Sequence, residues 1–268
     1  MRGPVAVHGV DWSGAALAGR HIWIASGWRA RRGLEVTAVV RASDLPGGGV
    51  ERAAALAAVR AFVAARPGEA VGIDAPLGLP RALAAADWQS TVRAVARDRD
   101  AGAFRARCAA RTGGREPRRA CDVAARTPFA PTNLRLYRQT FHALAGLVAP
   151  LLEAGRVRVA PMQRPAARAA LLLEVCPAST LAREGLRVPY KGRGGRLRDA
   201  RARIAAALAG RGLAARIACG AREAAVEDPG GDALDAVVAC CAAARAVADA
   251  RALGRANADE RLEGRVYV

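Results

Sequence analysis

Three apolar segments of the chain run into an acidic residue, and this pattern restricts the folds that the chain can adopt. Each segment is short, rich in Val, Ile, Leu or Ala, and bounded by glycine, proline or turn residues, which predicts a buried strand. The segments are VAVHGVD (5–11), VGID (71–74) and ALLLEV (170–175), with Asp11, Asp74 and Glu174 at or near their ends. Several strands that finish on carboxylates indicate a sheet with one acidic edge.

The segments around these strands predict an α/β fold. HIWIASGW (21–28) and LEVTAVV (34–40) are strand-like and are separated by a short polar turn, which predicts an antiparallel meander with the first strand. Residues 50–66 have apolar side chains at helical spacing, and they precede the strand that ends at Asp74. A helical crossover normally joins parallel strands. We therefore expect a mixed five-stranded sheet flanked by helices.

The remaining segments are predicted to belong to the same domain. Residues from about 81 to 170 are helical in pattern and rich in arginine, which predicts a helical insertion between strands 4 and 5. Helices are predicted at 196–210 and 227–250, and the tail GRVYV is a candidate edge strand. Because no repeat or low-complexity linker interrupts the chain, we expect a single domain over residues 1–268.

Five acidic residues are predicted to converge. Parallel strands bring their C-terminal ends to one edge of the sheet, and two more acids lie three residues apart at the start of the last long helix. The set is Asp11, Asp74, Glu174, Asp232 and Asp235. Like charges at short range repel, and hard divalent cations such as Mg²⁺ or Mn²⁺ remove that cost. Helix capping by Asp232, and turn formation by Asp11 and Asp74, are the structural alternatives.

Composition favours an anionic partner and a cytoplasmic location. The formal net charge is +18, and Lys191 is the one lysine among 42 lysine and arginine residues. Arginine attracts phosphate groups, so a nucleic acid is a candidate partner, with a solvated basic surface as the alternative. No apolar run has the length of a membrane span, and the six cysteines and three histidines lack metal-site spacing. We expect no membrane association, and we expect the histidines to be structural.

Six segments resemble a known family in sequence and in order. They are VDWSG (10–14), VGIDAPLGLP (71–80), CDVAARTPF (121–129), LEVCPAST (173–180), PYKGRGGR (189–196) and GDALDAVVA (231–239). In this respect the chain resembles the domain of unknown function 429 family, whose members are regarded as predicted nucleases of the RNase H-like superfamily. The resemblance implies an RNase H-like fold and metal-dependent nuclease activity.

The resemblance also implies roles for individual residues. Asp11, Asp74 and Asp235 would bind Mg²⁺ or Mn²⁺, and Glu174 and Asp232 would complete the catalytic cluster. Family members often read E-x-H-P-E, where this chain has Glu174, Val175, Cys176, Pro177 and Ala178. The histidine and the second acid of that pattern are therefore absent from this segment.

Two basic segments are candidate nucleic-acid contacts. Arginines neutralise phosphates, and aromatic rings stack on bases. The candidates are Arg126, Arg135, Tyr137 and Arg138 in the insertion, together with Lys191 and Arg193 in a glycine-rich loop. Tyr137 and Phe141 lie four residues apart, so anchoring the insertion to the core is an alternative role for these two rings.

The sequence predicts a metal-dependent nuclease or phosphodiesterase in which water activated by the metal attacks phosphorus. Two other functions remain open. One is an Mg-nucleotide-dependent phosphotransferase or ATPase on the related actin-like fold, although such proteins usually contain a duplicated domain. The other is a nucleic-acid-binding module without catalysis.

Overall fold

Strand β1 lies inside the sheet and carries Asp11 at its last position. The computed structural model describes residues 5–30, 33–210, 216–249 and 253–268. In these residues the chain forms a mixed sheet of eight strands, flanked by helices. The strands are β1 (Val5–Asp11), β2 (Trp23–Ala30), β3 (Gly33–Arg41), β4 (Ala70–Asp74), β5 (Val157–Ala160), β6 (Ala170–Val175), β7 (Arg216–Ile217) and β8 (Val266–Tyr267).

The helices before the last long one fall mainly in the predicted insertion and after β6. They are α1 (Arg52–Ala64), α2 (Trp88–Ala96), α3 (Ala101–Thr112), α4 (Ala120–Ala124), α5 (Tyr137–Ala143), α6 (Ala149–Glu153), α7 (Pro177–Arg183), α8 (Gly195–Gly210) and α9 (Cys219–Glu227). A π-helical turn, Leu144–Val148, joins α5 to α6. The last long helix is α10 (Asp232–Ala248), and α11 (Ala258–Glu263) precedes β8.

The strand order brings three acid-bearing strands together. The order is β5-β6-β4-β1-β2-β3-β7, and β8 pairs with the end of β6. Strands β1, β4, β6 and β5 are mutually parallel, whereas β2 is antiparallel to both β1 and β3. Asp11 and Asp74 are direct register partners. The C-terminal ends of β1, β4 and β6 therefore form one edge, as predicted.

The five predicted strands are present, but the predicted count of five is wrong. Two further strands, β5 and β7, occur in the described residues, and β8 lies in the tail GRVYV, which was the candidate edge strand. The predicted helical insertion to residue 170 is also too long, because β5 begins at Val157. These strands have two to four residues, too few for periodicity to distinguish them from loops. Residues 31–32 of the predicted β2–β3 turn, and residue 250 of the last predicted helix, lie outside the described residues.

The sheet has a separate apolar core on each face. Val10, Ile73 and Leu172 pack with α1 and the insertion helices on one face. Val7 and Leu173 pack with α7, α8, α9 and α10 on the other. Because neighbouring residues of a strand point to opposite faces, each strand contributes to both cores.

Helix α10 packs unusually close to β1 because both surfaces consist of small residues. A Cβ atom on Gly9 would lie 2.1 Å from the backbone nitrogen of Cys240 and 2.3 Å from the carbonyl oxygen of Ala236. The thiol of Cys240 donates to the carbonyl of Val7 at 3.4 Å. This close packing fixes the position of α10, and with it the acids at the start of the helix.

None of the helices in the described ranges is both long enough and apolar enough to cross a bilayer.

We expect Gly9→Ala to destabilise the protein, because the added methyl group must push α10 away from β1. The expected loss in the free energy of unfolding is about 1–3 kcal/mol or more, typical of an overpacked core. Urea denaturation measures this loss. Gly220→Ala in α9 is the matched control, since a Cβ there meets no atom within 4 Å. Equal stability of the two variants would contradict close packing at Gly9.

Candidate carboxylate site at the sheet edge

Asp11 and Asp74 form the floor of the site. They occupy adjacent positions on β1 and β4, and they face the same side of the sheet as α10. Asp11 is buried, and its carboxylate is close enough to Asp74 for each to feel the charge of the other. The floor of the site is therefore acidic.

Asp232 and Asp235 reach the same place from the first turn of α10. Gly231 precedes the helix with a φ of 75°, and Asp235 is buried. Asp232 was a candidate helix cap, but Asp228 takes that role by accepting from the backbone N–H of Ala233 at 3.0 Å. The side chain of Asp232 is thereby free to face the site.

Burial and mutual repulsion shift the pKa values of Asp11, Asp74 and Asp235 upward. Burial, followed by Asp235 and Asp74, raises the pKa of Asp11 well above its ordinary value. Burial and the charge of Asp235 raise the pKa of Asp74 to about 8. Burial also raises the pKa of Asp235, although Lys191 opposes the rise. The cluster therefore has a deficit of positive charge.

The loop before α8 supplies partial compensation. The hydroxyl of Tyr190 donates to Oδ1 of Asp235, and Nζ of Lys191 lies 2.6 Å from Oδ2 of Asp235. The same Nζ lies 3.3 Å from Oδ1 of Asp232. Burial and Asp235 raise the pKa of Tyr190, so its hydroxyl remains protonated and acts as a donor. Of the predicted nucleic-acid contacts, Lys191 is thus part of the carboxylate site itself.

Glu174 lines the same cavity as the four aspartates, but its carboxylate is paired with Arg119 rather than grouped with theirs. It pairs in register with Ile73, and it therefore points to the face opposite Asp74. There its Oε2 accepts from Nη1 of Arg119 at 2.7 Å and from the backbone N–H of Leu77 at 2.8 Å, while its Oε1 accepts from Nη2 of Arg119. Both oxygens are thus occupied, and Glu174 fixes the loop that follows Asp74.

Arg119 is a fully buried cation that links several elements of the site. Besides Glu174, its Nε and Nη2 donate to Asp122 at 3.0 and 2.7 Å. Its Nη1 also donates to the carbonyl of Glu263 at 3.2 Å. The side chain is 1% exposed, so its charge is balanced by these two carboxylates rather than by water. The network joins β6, the insertion and α11.

The four aspartates line a cavity of about 580 Å³. The insertion forms much of the opposite wall, through Pro128, Phe129 and Gln139. Gln139 is tied to the residue after Asp11, because the indole N–H of Trp12 donates to its carbonyl at 3.2 Å. The insertion thus covers the acidic edge of the sheet.

His21 also lines this cavity, contrary to the expectation that the histidines are structural. Its Nδ1 is 3.6 Å from Oδ2 of Asp232, and its side chain is about half-exposed. His8 is buried between Ser26 and Glu69, and His142 packs edge-on against Phe141, as expected for structural residues.

The other predicted nucleic-acid contacts lie outside the cavity wall. Arg126, Arg135, Arg138 and Arg193 are exposed. The guanidinium of Arg135 lies 5.5 Å from the ring centroid of Phe129, which does line the cavity. Tyr137 packs against the core with Phe141, so the anchoring alternative describes both rings better.

The donor set suits a hard divalent cation. The four aspartates offer only oxygen ligands, which Mg²⁺ and Mn²⁺ prefer, and the raised pKa values of three of them show that added positive charge would be favourable. Within the described ranges, no group of three or more His, Cys, Asp or Glu side chains has a geometry that could hold a metal ion. Asp232 and Asp235 instead share the ammonium group of Lys191.

Sequence reasoning missed Arg119, Tyr190 and His21. Arg119 is one arginine among many, and only its burial distinguishes it. Tyr190 precedes Lys191, and this single lysine was the one feature of the sequence that drew attention to the loop. His21 starts a strand-like segment, and nothing in the sequence connects it with Asp232.

Comparison with known proteins gives one family. The model of the family described as "Protein of unknown function (DUF429)" matches residues 9–260. This match confirms the family resemblance seen in the six sequence segments. No curated protein and no solved structure shows significant similarity to the chain.

We expect Arg119→Met to cost about 3–5 kcal/mol in the free energy of unfolding, because it leaves Glu174 and Asp122 buried without a counter-charge. Adding Glu174→Gln should recover part of this loss. The matched control is Arg198→Met, which breaks an ion pair with Glu227 between half-exposed side chains and should change the stability little. Chemical denaturation measures all three variants, and similar losses for both arginines would contradict the network.

We expect the stability of the metal-free protein to fall with rising pH because of Asp74. Its folded pKa of about 8 exceeds the ordinary 3.8, so the folded state holds a proton that the unfolded chain releases between these values. Relative to wild type, Asp74→Asn should therefore gain more than about 1 kcal/mol between pH 5 and pH 8 in EDTA. Urea denaturation at each pH tests this, with exposed Asp199→Asn as the control. A constant difference across the range would disprove it.

Proposed function

The chain belongs to the DUF429 family of proteins of unknown function, and we propose that it is a metal-dependent nuclease or phosphodiesterase with an RNase H-like fold. One observation carries the proposal. Four aspartates from two parallel strands and one helix line a single cavity, and Asp11, Asp74 and Asp235 have raised pKa values. Structural ion networks usually pair acids with bases, whereas this one gathers acids.

The sheet supports the finer fold assignment. The segment β3-β2-β1-β4-β6 combines an antiparallel meander with two further parallel strands, and α10 crosses β1. This arrangement places acids on the first and fourth strands and on a late helix, as the family resemblance implies for RNase H-like proteins. The remaining strands and the insertion are additions to that core.

Asp11, Asp74 and Asp235 are the proposed ligands of Mg²⁺ or Mn²⁺, with Asp232 beside them. Such a cation would supply activation of water and stabilisation of negative charge on a phosphoryl group. The chain's own residues prepare the acids for this role. The hydroxyl of Tyr190 donates to one oxygen of Asp235, and β1 and β4 hold Asp11 and Asp74 in register side by side.

Glu174 and Arg119 contribute as positioning residues in this proposal. They fix Leu77 and the carbonyl of Gly78, and the indole of Trp88 donates to the carbonyl of Leu77 at 2.6 Å. The loop after Asp74 is therefore held from three sides. A ligand at the end of a strand that leads into a fixed loop loses little conformational freedom when it binds a cation.

The cavity favours a narrow substrate. Its volume of about 580 Å³ suits a nucleotide unit, and the insertion wall with Phe129 stands where an open sheet edge would otherwise face solvent. Exposed Arg135 and Arg138 lie on the same segment and suit the flanking phosphates. We propose that a single strand or a strand end, rather than the middle of a duplex, enters the site.

We expect cleavage of labelled DNA or RNA with Mg²⁺ or Mn²⁺, faster on single strands and frayed ends than on blunt duplexes. Asp74→Asn and Asp235→Asn should each lower kcat/KM at least about 100-fold, because they remove stabilisation worth several kcal/mol. Asp199→Asn, which changes an exposed acid on α8, is the matched control.

The alternatives predict other results in the same experiment. Equal cleavage by wild type and both aspartate variants would rule out the carboxylate mechanism. Binding of nucleic acid that survives EDTA, without cleavage, would favour a binding module. Thermal stabilisation by Mg-ATP without cleavage would favour a phosphotransferase.

A further inference from the structure

Lys191 is unusual both in sequence and in position. The chain uses arginine for every other long basic side chain, yet a lysine stands at the carboxylate site. Its Nζ bridges Asp235 at 2.6 Å and Asp232 at 3.3 Å, and the side chain is 52% exposed. Lys191 is therefore the cation that faces the cluster.

The backbone on both sides of Lys191 is fixed. Arg201 of α8 is 3% exposed, and its Nη1 donates to the carbonyls of Tyr190 at 2.7 Å and Gly192 at 3.1 Å. The N–H of Gly192 donates to the carbonyl of Pro229 at 2.7 Å. A φ of 125° at Gly192 makes glycine the residue suited to this position. The side chain of Lys191 therefore projects from a backbone whose position is fixed.

The chemistry of the ammonium group explains why arginine does not occupy this position. An ammonium is a compact charge on a flexible stem, so it can sit between two carboxylates and move as a single point. A guanidinium is planar, larger, and suited to a fixed paired geometry. A cation that must leave its partners is better built from lysine.

We propose that Lys191 is a built-in counter-ion of the aspartate cluster and that a divalent cation displaces it. The inference rests on the metal-binding part of the proposed function. A metal ion ligated by Asp235 would bring two positive charges close to the ammonium group, which Coulomb repulsion opposes. The displaced side chain remains on the cavity wall, because its backbone is held by Arg201. The ammonium group of Lys191 then contacts the anionic substrate and no longer contacts Asp235.

This arrangement gives Lys191 two successive partners. Before the metal binds, the ammonium lowers the repulsion among the aspartates and keeps α10 close to the strand ends. After the metal binds, the same charge is free to contact a phosphate oxygen. Lys191 thus makes metal affinity lower than the aspartates alone would give, and it links metal binding to substrate binding.

The single lysine allows a direct test on the wild-type protein. An amine-acylating reagent labels Lys191 and the α-amino group, and peptide mass spectrometry separates the two sites. We expect saturating Mn²⁺ to accelerate acylation of Lys191 about tenfold, the factor for losing one charge-assisted hydrogen bond. The α-amino group is the internal reference for the reagent. An unchanged or slower rate at Lys191 would overturn the proposal.

A second measurement uses metal affinity and needs no activity. Isothermal titration with Mn²⁺ should show binding about tenfold tighter for Lys191→Met than for wild type. The matched control is Arg193→Met, which removes a charge two residues away on the same loop and should bind Mn²⁺ like wild type. Equal or weaker binding by Lys191→Met, or an equal gain in both variants, would overturn the proposal.

The two measurements separate this inference from the proposed reaction. Faster acylation and tighter Mn²⁺ binding without phosphodiester cleavage would support the counter-ion and reject the nuclease. Cleavage that depends on Asp74 with no change at Lys191 would reject the counter-ion and keep the nuclease. If neither the wild type nor Lys191→Met bound Mn²⁺, both the counter-ion and the nuclease would be rejected.

Discussion

The repulsion among four aspartates in a small, largely buried space is the constraint on which the site depends. Like charges in a poorly solvated place raise one another's pKa, and the protein accepts this cost at the ends of β1 and β4. Close packing keeps the four aspartates together, because the absence of a side chain at Gly9 lets α10 approach β1 closely. Tyr190 and Lys191 then reduce the repulsion without removing it. A site left short of positive charge is suited to receive a cation.

The alternation of side chains along a strand divides the acids into two systems. Asp11 and Asp74 face α10, whereas Glu174 faces the insertion because its register partner is Ile73. On that side Arg119 neutralises it, so the carboxylate becomes part of a structural network. One acid-bearing edge therefore carries a cluster available for chemistry and a paired cluster that holds the loop after Asp74. Because the Arg119 network contacts the loop that follows Asp74, the packing of the insertion is linked to the geometry of the aspartate cluster.

The insertion changes what the sheet edge can accept. Its residues around Phe129 and Gln139 convert an open edge into a cavity, and the hydrogen bonds between Trp12 and Gln139 tie that wall to the strand end beside Asp11. In the proposed function, the same wall would restrict the width of a substrate. Exposed arginines on the outer surface of the insertion would then attract its phosphates without entering the cavity.

The sequence by itself determined the main strands, the long helices and the convergence of Asp11, Asp74 and the α10 acids. Apolar periodicity sets these elements, and parallel strands with a common direction must bring their ends to one edge. Only the tertiary structure decided that Glu174 turns away, that Arg119 is buried, and that His21 and Lys191 face the cluster. These outcomes depend on strand register and on contacts between residues distant in the chain, which local patterns of residues do not encode. Strands β5 and β7 escaped prediction for the same reason, because pairing rather than composition creates them.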